Sequence, residues 1–181
     1  MKKLLFLITV MSFSFTMGTM WVGFDGTPEL SSNALDGDLE SGGMILGYNH
    51  PLHASEDGKK SLWAGTAIYM CDMDVNGYDN WGYLSWYALP MYSINEKFAA
   101  WGSFGYARVF NSSSESTADS GLQYGLGLHY RVNDTYGMGV GYMVNTNEVS
   151  TMGDMDAVVT DDYEVSRLTV YLTKSLAGMF K

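Results

Sequence analysis

The sequence predicts an all-β protein, folded as an eight-stranded antiparallel up-and-down transmembrane β-barrel. Three observations carry that expectation: residues alternate in size along extended stretches, short and long connections alternate between those stretches, and the acids gather in the long connections. The alternation is clearest in "GLQYGLGLHYRVNDTYGMGVGYMV", residues 121–144. Leu122, Tyr124, Leu126, Leu128, Tyr130 and Val132 share one parity, while Gln123, Gly125, Gly127, His129, Arg131 and Asn133 share the other. A period of two places the sets on opposite faces of a strand. After the polar turn Val132-Asn133-Asp134, the residues Tyr136, Met138, Val140, Tyr142 and Val144 resume the pattern against Gly137, Gly139 and Gly141. Two strands therefore form a hairpin.

The 181 residues suffice for one domain with a full core. The first 18 differ in kind: Lys2 and Lys3 precede the apolar run Leu4 to Val10, and no further charge appears before Asp25. Small residues at Thr16 and Gly18 complete the pattern of a secretory signal cleaved near Gly18, giving a signal peptide over 1–18 and a barrel domain over 19–181. The apolar run is barely long enough to be an uncleaved anchor. With no cysteine near the cleavage site, a lipoprotein anchor is not indicated. Cys71 is the single cysteine, so no intrachain disulfide is expected. A net charge of −10 argues against nucleic acid as a partner, because phosphate recognition needs clustered Lys and Arg. The 21 glycines and 13 tyrosines against 3 prolines favour sheet.

Extended and polar segments alternate along the mature chain, with strands expected at 19–25, 42–52, 60–70, 81–93, 97–109, 121–132, 135–145 and 165–175. No segment holds a capped 3.6-residue apolar period, so no long helix is expected. Connections at 53–59, 94–96 and 133–134 are short, and those at 26–41, 71–80, 110–120 and 146–164 are long. In an up-and-down sheet this puts every short turn at one end and every long loop at the other. Of the 20 acids, all but Glu56, Asp57, Glu96 and Asp134 belong to the long loops and their edges, where Lys and Arg are missing. Those four are matched near the short turns by Lys59, Lys60, Lys97 and Arg131. One end of the molecule is acidic and the other neutral.

Opposite the bulky residues stand small or polar ones: Gly43, Gly47 and Asn49; Ala99, Ser103, Gly105 and Ala107; Arg167, Thr169 and Thr173. Such residues suit the narrow interior of an eight-stranded barrel and leave the large apolar side chains to face lipid. Closure also removes the sheet edge, which hydrocarbon does not tolerate. Tyr92, Phe98, Tyr130 and Tyr136 near the short turns, with Phe24, Tyr106, Phe110, Tyr124 and Tyr142 towards the loops, form two expected interfacial girdles. In 60–70 and 81–93 both parities are apolar and neither face declares itself. Pro51 and Pro90 fall at short-turn strand ends, where an end or a bulge accommodates them.

The glycine-aromatic alternations "GGMILGYNHPL", "FAAWGSFGYARVF", "GLGLHYRVND" and "GMGVGYMV", with the last strand "SRLTVYLTKSL", resemble the OmpA-type and OmpX-type family of small outer-membrane barrels across the mature length. The resemblance implies a Gram-negative cell outer membrane as the location. As partners it implies outer-membrane lipid, lipopolysaccharide and the barrel assembly machinery. Barrels of this family usually end in an aromatic residue; here Phe180 is penultimate, Lys174 interrupts the apolar face and Lys181 follows.

Among the roles that the resemblance implies are membrane integrity, adhesion, surface protection and, in a few barrels, lipid-modifying catalysis. Catalysis on outer-leaflet lipid would need a His beside a Ser and an acid near the loops. His50, His53 and His129 all fall near the short turns instead, so no enzyme activity is expected. His129 is expected in the lumen with Arg131 and Gln123, and Arg167 is the other polar lumen residue singled out. In "DMDVNGYDNWGY", Asp72, Asp74, Asn76 and Gly77 match the first half of a calcium loop, but the twelfth position is Tyr83 rather than Glu. That excludes an EF-hand and leaves a looser, weak Ca2+ site using Asp79. No other cofactor is expected. The expected function is structural or surface-interactive and non-catalytic. Two alternatives stand beside it: a narrow pore for small solutes or ions, and a soluble lipocalin-like ligand-binding barrel with its apolar face turned inward.

Overall fold

A computed structural model describes residues 18–26, 29–32, 37–38, 43–70, 74–75, 82–110, 116–118, 120–152 and 158–177. Eight long strands make up the barrel: β1 (Thr19–Asp25), β2 (Met44–Ala54), β3 (Lys60–Met70), β4 (Gly82–Ser93), β5 (Phe98–Phe110), β6 (Ser120–Arg131), β7 (Tyr136–Met152) and β8 (Val158–Ser175). Each pairs antiparallel with its neighbours in sequence, and β8 returns to β1 through the register Thr19↔Ser175 to Asp25↔Thr169. The sheet is thereby closed, and the backbone groups of the strands find partners within it.

The three short turns are built by their own polar side chains. Asn95 Oδ1 accepts from the backbone N–H of Lys97 and of Phe98, both at 2.9 Å. Asn133 repeats the device, accepting from Thr135 at 2.9 Å and Tyr136 at 2.8 Å. Such Asx bonding tightens a turn because the side chain stands in for a backbone acceptor. The remaining turn places Gly58 at φ 66°, which a side chain would disfavour. There Asp57 Oδ1 accepts from Ser55 Oγ at 2.6 Å and from the Lys59 N–H at 3.0 Å.

Side-chain direction settles the orientation of the sheet. Leu126 is 68% exposed and Phe104 59%, and Leu46, Ile68, Trp86, Val140, Val170 and Leu172 also point outward. An apolar band this continuous around a closed sheet is a lipid-facing belt. It contradicts the lipocalin-like alternative, which requires that face to be inside. The girdle residues Tyr92, Phe98 and Tyr136 at the short-turn end, and Phe24, Tyr106, Tyr124 and Tyr142 at the loop end, are all exposed. The Phe110 side chain lies outside the described residues.

The two undeclared strands resolve on odd parity: Trp63, Ala67 and Tyr69 of β3 and Tyr83, Ser85, Tyr87 and Leu89 of β4 face inward. This corrects the expectation of a small, polar interior. Both parities are bulky because one meets lipid while the other meets a lumen packed with rings. Pro51 lies at a register shift between Pro51 and His53, a bulge. Opposite Pro90, no bridges link β4 and β5 between Ala88↔Phe104 and Met91↔Trp101, as expected where a ladder donor is missing.

The largest departure from expectation is beyond the belt. Of residues 146–164, read as loop, 146–152 belong instead to β7 and 158–164 to β8, which run paired from Tyr136↔Lys174 to Met152↔Val158. Short strands extend this hairpin at its loop end: Glu29–Ser32 pairs with 163–166, and Ser116–Ala118 with 149–151. Outside lipid neither face of a strand has to be apolar, so the two-residue period that marks a spanning strand disappears while the pairing continues. Residues 1–17, which hold the expected signal, and Phe180 and Lys181 lie outside the described residues.

Candidate functional site: the barrel lumen

Glycine and aromatic residues fit together inside the barrel. A Cβ built on Gly43 would meet the ring of Tyr69; on Gly47, that of Trp21; on Gly65, that of Tyr87; on Gly139, that of Tyr171; and on Gly141, that of Trp101. The glycines seen in the sequence as a sparse face are thus troughs in which rings rest against the wall. Hydrogen bonds fix the polar tips. Trp21 Nε1 donates to Tyr87 Oη at 3.2 Å, and Tyr87 Oη donates to Asn49 Oδ1 at 2.8 Å. Trp101 Nε1 donates to Tyr171 Oη at 2.7 Å, which in turn donates to the Leu128 carbonyl at 3.2 Å. Buried Trp and Tyr need such partners for their single polar atoms.

Towards the loops the lumen is crossed by a polar layer. Arg167 on β8 and Asp25 on β1 form an ion pair at 3.4 Å, both side chains being almost wholly buried. Thr169 Oγ1 donates to the other Asp25 oxygen at 2.5 Å. Arg167 Nη1 donates to Asn145 Oδ1 at 2.6 Å, and Asn145 Nδ2 donates to Gln123 Oε1 at 3.4 Å. The guanidinium also lies 4.4 Å from the ring centre of Tyr69 and 5.8 Å from that of Tyr83, and these two rings stack on each other. Cation–π contacts gain strength in a desolvated site such as this. Tyr83 is 0% exposed and Gln123 1%, so the layer is packed as tightly as a core.

Below this layer, towards the short turns, a cavity of about 440 Å³ is lined by Trp21, Trp63, Tyr87, Trp101, Met143 and Tyr171, among others. Turn residues Asn95, Glu96, Lys97, Asn133, Asp134 and Thr135 also border it, so it opens at the short-turn end. His129 stands in its wall, stacked on Tyr171 with ring centres 6.0 Å apart.

The expected lumen residues therefore separate into two groups. Gln123 and Arg167 meet through Asn145 in the polar layer. His129 and Arg131 lie at the mouth, which corrects the expectation that His129 packs with Gln123: six residues of strand place them roughly 20 Å apart. Asp25 was counted among the loop acids and is in fact the buried partner of Arg167. The signal was present, since Asp25 shares parity with Trp21 and Gly23. Asn145 likewise continues the series Gly137, Gly139, Gly141 and Met143. Of the expected calcium ligands, Asp72, Asn76 and Asp79 lie outside the described residues. Asp74 is described only in its backbone, which pairs with Asp38.

No family model matches the chain, and no curated protein matches it in sequence. Among solved structures it is similar to Neisserial surface protein A, with a TM-score of 0.60 at 10% identity over 88% of this chain and 97% of that one. It also matches Ail, the attachment invasion locus protein of Yersinia pestis, with a TM-score of 0.49 at 16% identity over 86% of this chain and 97% of that one. A de novo designed transmembrane β-barrel matches with a TM-score of 0.49 at 10% identity. At these identities the likeness is one of fold, and with the closed sheet and its apolar belt it makes this chain an eight-stranded transmembrane β-barrel.

Proposed function

We propose that the protein sits in the outer membrane of a Gram-negative bacterium and acts there as a non-catalytic anchor that presents its acidic loop end at the cell surface. The observation that carries this reading is the β7–β8 hairpin, which continues beyond the belt and gathers Glu29–Ser32 and Ser116–Ala118 onto one sheet. Such a platform would project from the membrane on the loop side. The first similar structure bears the name of a surface protein, which agrees with this reading. Lipopolysaccharide beside the loops, the assembly machinery during insertion and diffuse divalent ions shared with the loop acids are the partners it implies. Residues 1–18 supply the export signal.

The test uses the background Cys71→Ser, with a single cysteine placed at Thr151 or at Asn95. A membrane-impermeant maleimide should label Thr151→Cys on intact cells, and Asn95→Cys only after the outer membrane is permeabilised. The opposite pattern would refute surface presentation.

A narrow pore is the second reading, favoured by one observation: the cavity runs from the short-turn end up the lumen as far as Arg167. Planar-bilayer recordings distinguish the two, since steady single-channel steps would support the pore and a silent bilayer the anchor. Weak Ca2+ binding by Asp72, Asp74, Asn76 and Asp79 belongs to the same surface reading. Calorimetric titration should show calcium heat that disappears in Asp72→Asn/Asp74→Asn, and the absence of heat in the parent protein would remove the site.

A further inference from the structure

The cavity beneath the Arg167 layer has no part in anchoring or presentation, yet it is built to stay open. In a lumen that only had to be filled, large side chains would point to the axis. Here the rings of Trp21, Tyr87, Trp101 and Tyr171 rest in troughs that glycines leave for them, and the space they vacate amounts to about 440 Å³. That volume falls within the range of small-molecule sites, roughly 300–1,000 Å³. We propose that this cavity is a binding site for a small neutral sugar, a mono- or disaccharide, admitted from the short-turn end.

Three features of the wall select that chemistry. Ring surfaces alternate with short hydroxyl and amide side chains, including Asn49, Ser61, Ser93 and Thr173. A pyranose matches this arrangement, because its C–H face packs on aromatic rings while its hydroxyls exchange hydrogen bonds around the edge. The charges in the wall are also balanced. Arg167 is held by Asp25, and at the mouth Lys97 and Arg131 stand with Glu96 and Asp134. An ionic ligand would lose its hydration there without gaining a counter-charge. Access comes last: the polar layer closes the loop side, while Asn95, Asn133 and Thr135 edge the opening below.

Three of the five tryptophans, Trp21, Trp63 and Trp101, line this cavity, so intrinsic fluorescence reports its occupancy. The refolded full chain is titrated with maltose and with N-acetylglucosamine in lauryldimethylamine oxide, a detergent without a sugar headgroup. A saturable fluorescence change is expected with at least one of them. Ala99→Trp, which fills the cavity at the mouth, and Asn49→Leu, which keeps side-chain volume but removes the amide, should each weaken binding about tenfold or more. Mobility in SDS before and after boiling establishes that each variant is folded. The proposal is overturned if neither sugar gives a saturable change in the parent protein, or if both folded variants bind with parental affinity. Saturable binding of 1-naphthol without either sugar would equally overturn it, assigning the cavity to a purely aromatic ligand.

Discussion

Single residues in this barrel matter through what they leave behind when removed. The Arg167–Asp25 pair is buried, so its own attraction is largely offset by lost hydration. Removing one partner is a different case. Arg167→Met should cost about 3–5 kcal/mol because the Asp25 carboxylate is left without its counter-charge. The double variant Asp25→Asn/Arg167→Met should recover most of that loss, and urea unfolding in lipid vesicles measures both. Glycine positions divide in the same way by what a new Cβ would touch. At Gly105 it would meet the backbone of Trp86 and Tyr87, which cannot move aside, whereas at Gly137 it would meet the end of the His129 ring. Gly105→Ala should therefore destabilise by about 1–3 kcal/mol, and more than Gly137→Ala in the same unfolding assay. In the first short turn, the hydrogen bond from Ser55 holds the Asp57 carboxyl below its usual 3.8, aided by the Lys59 N–H. A lowered folded value means the contribution is present above 3.8 and lost as pH falls through the folded value. Asp57→Asn should thus be less stable than the parent at neutral pH, and the gap should close in strong acid.

At the scale of elements, the spanning strands were legible because lipid on one side and packed rings on the other force an alternation. Strands β1 and β3 have the expected bounds, 19–25 and 60–70, β2, β4, β5 and β6 differ by one or two residues at their ends, and β7 and β8 do so only at their short-turn ends, by at most one residue. The hairpin beyond the belt was not legible. "NEVSTM" and "VVTDDYE" hold no two-residue period of apolar and polar residues, so their pairing leaves no trace in the pattern of polarity. The interior was half legible. Glycine parity identified the lumen face of β6 and β7, but the large rings that occupy those troughs, Trp101 and Tyr171, come from β5 and β8, and a partner on another strand has no fixed spacing in sequence. For the same reason Arg167 could be recognised as a lumen cation while its partner, 142 positions away, could not. An element-scale test uses the belt: Leu126 lies midway along β6 and is 68% exposed. Leu126→Arg should cost about 2–4 kcal/mol in lipid if its depth is near the bilayer midplane. The same substitution at the loop-end hairpin position Thr151 should be nearly silent.

The whole molecule is a closed sheet whose two ends differ in charge. The long loops concentrate acids at one end, and the short turns balance theirs with Lys59, Lys60, Lys97 and Arg131 at the other. Between them the apolar belt faces outward, rings, aliphatic side chains and the Arg167–Asp25 pair fill the upper lumen, and the lower lumen stays open. Closure gives this arrangement its resistance, because the eight barrel strands close on one another and leave no edge within the belt from which unfolding or detergent attack can begin. The central claim is that the apolar face meets lipid around a closed barrel. The most direct test is electrophoretic mobility in SDS, boiled against unboiled, for the protein recovered from the outer-membrane fraction. A faster unboiled band that shifts on heating is the predicted result. Recovery in a soluble fraction with one mobility under both conditions would contradict it.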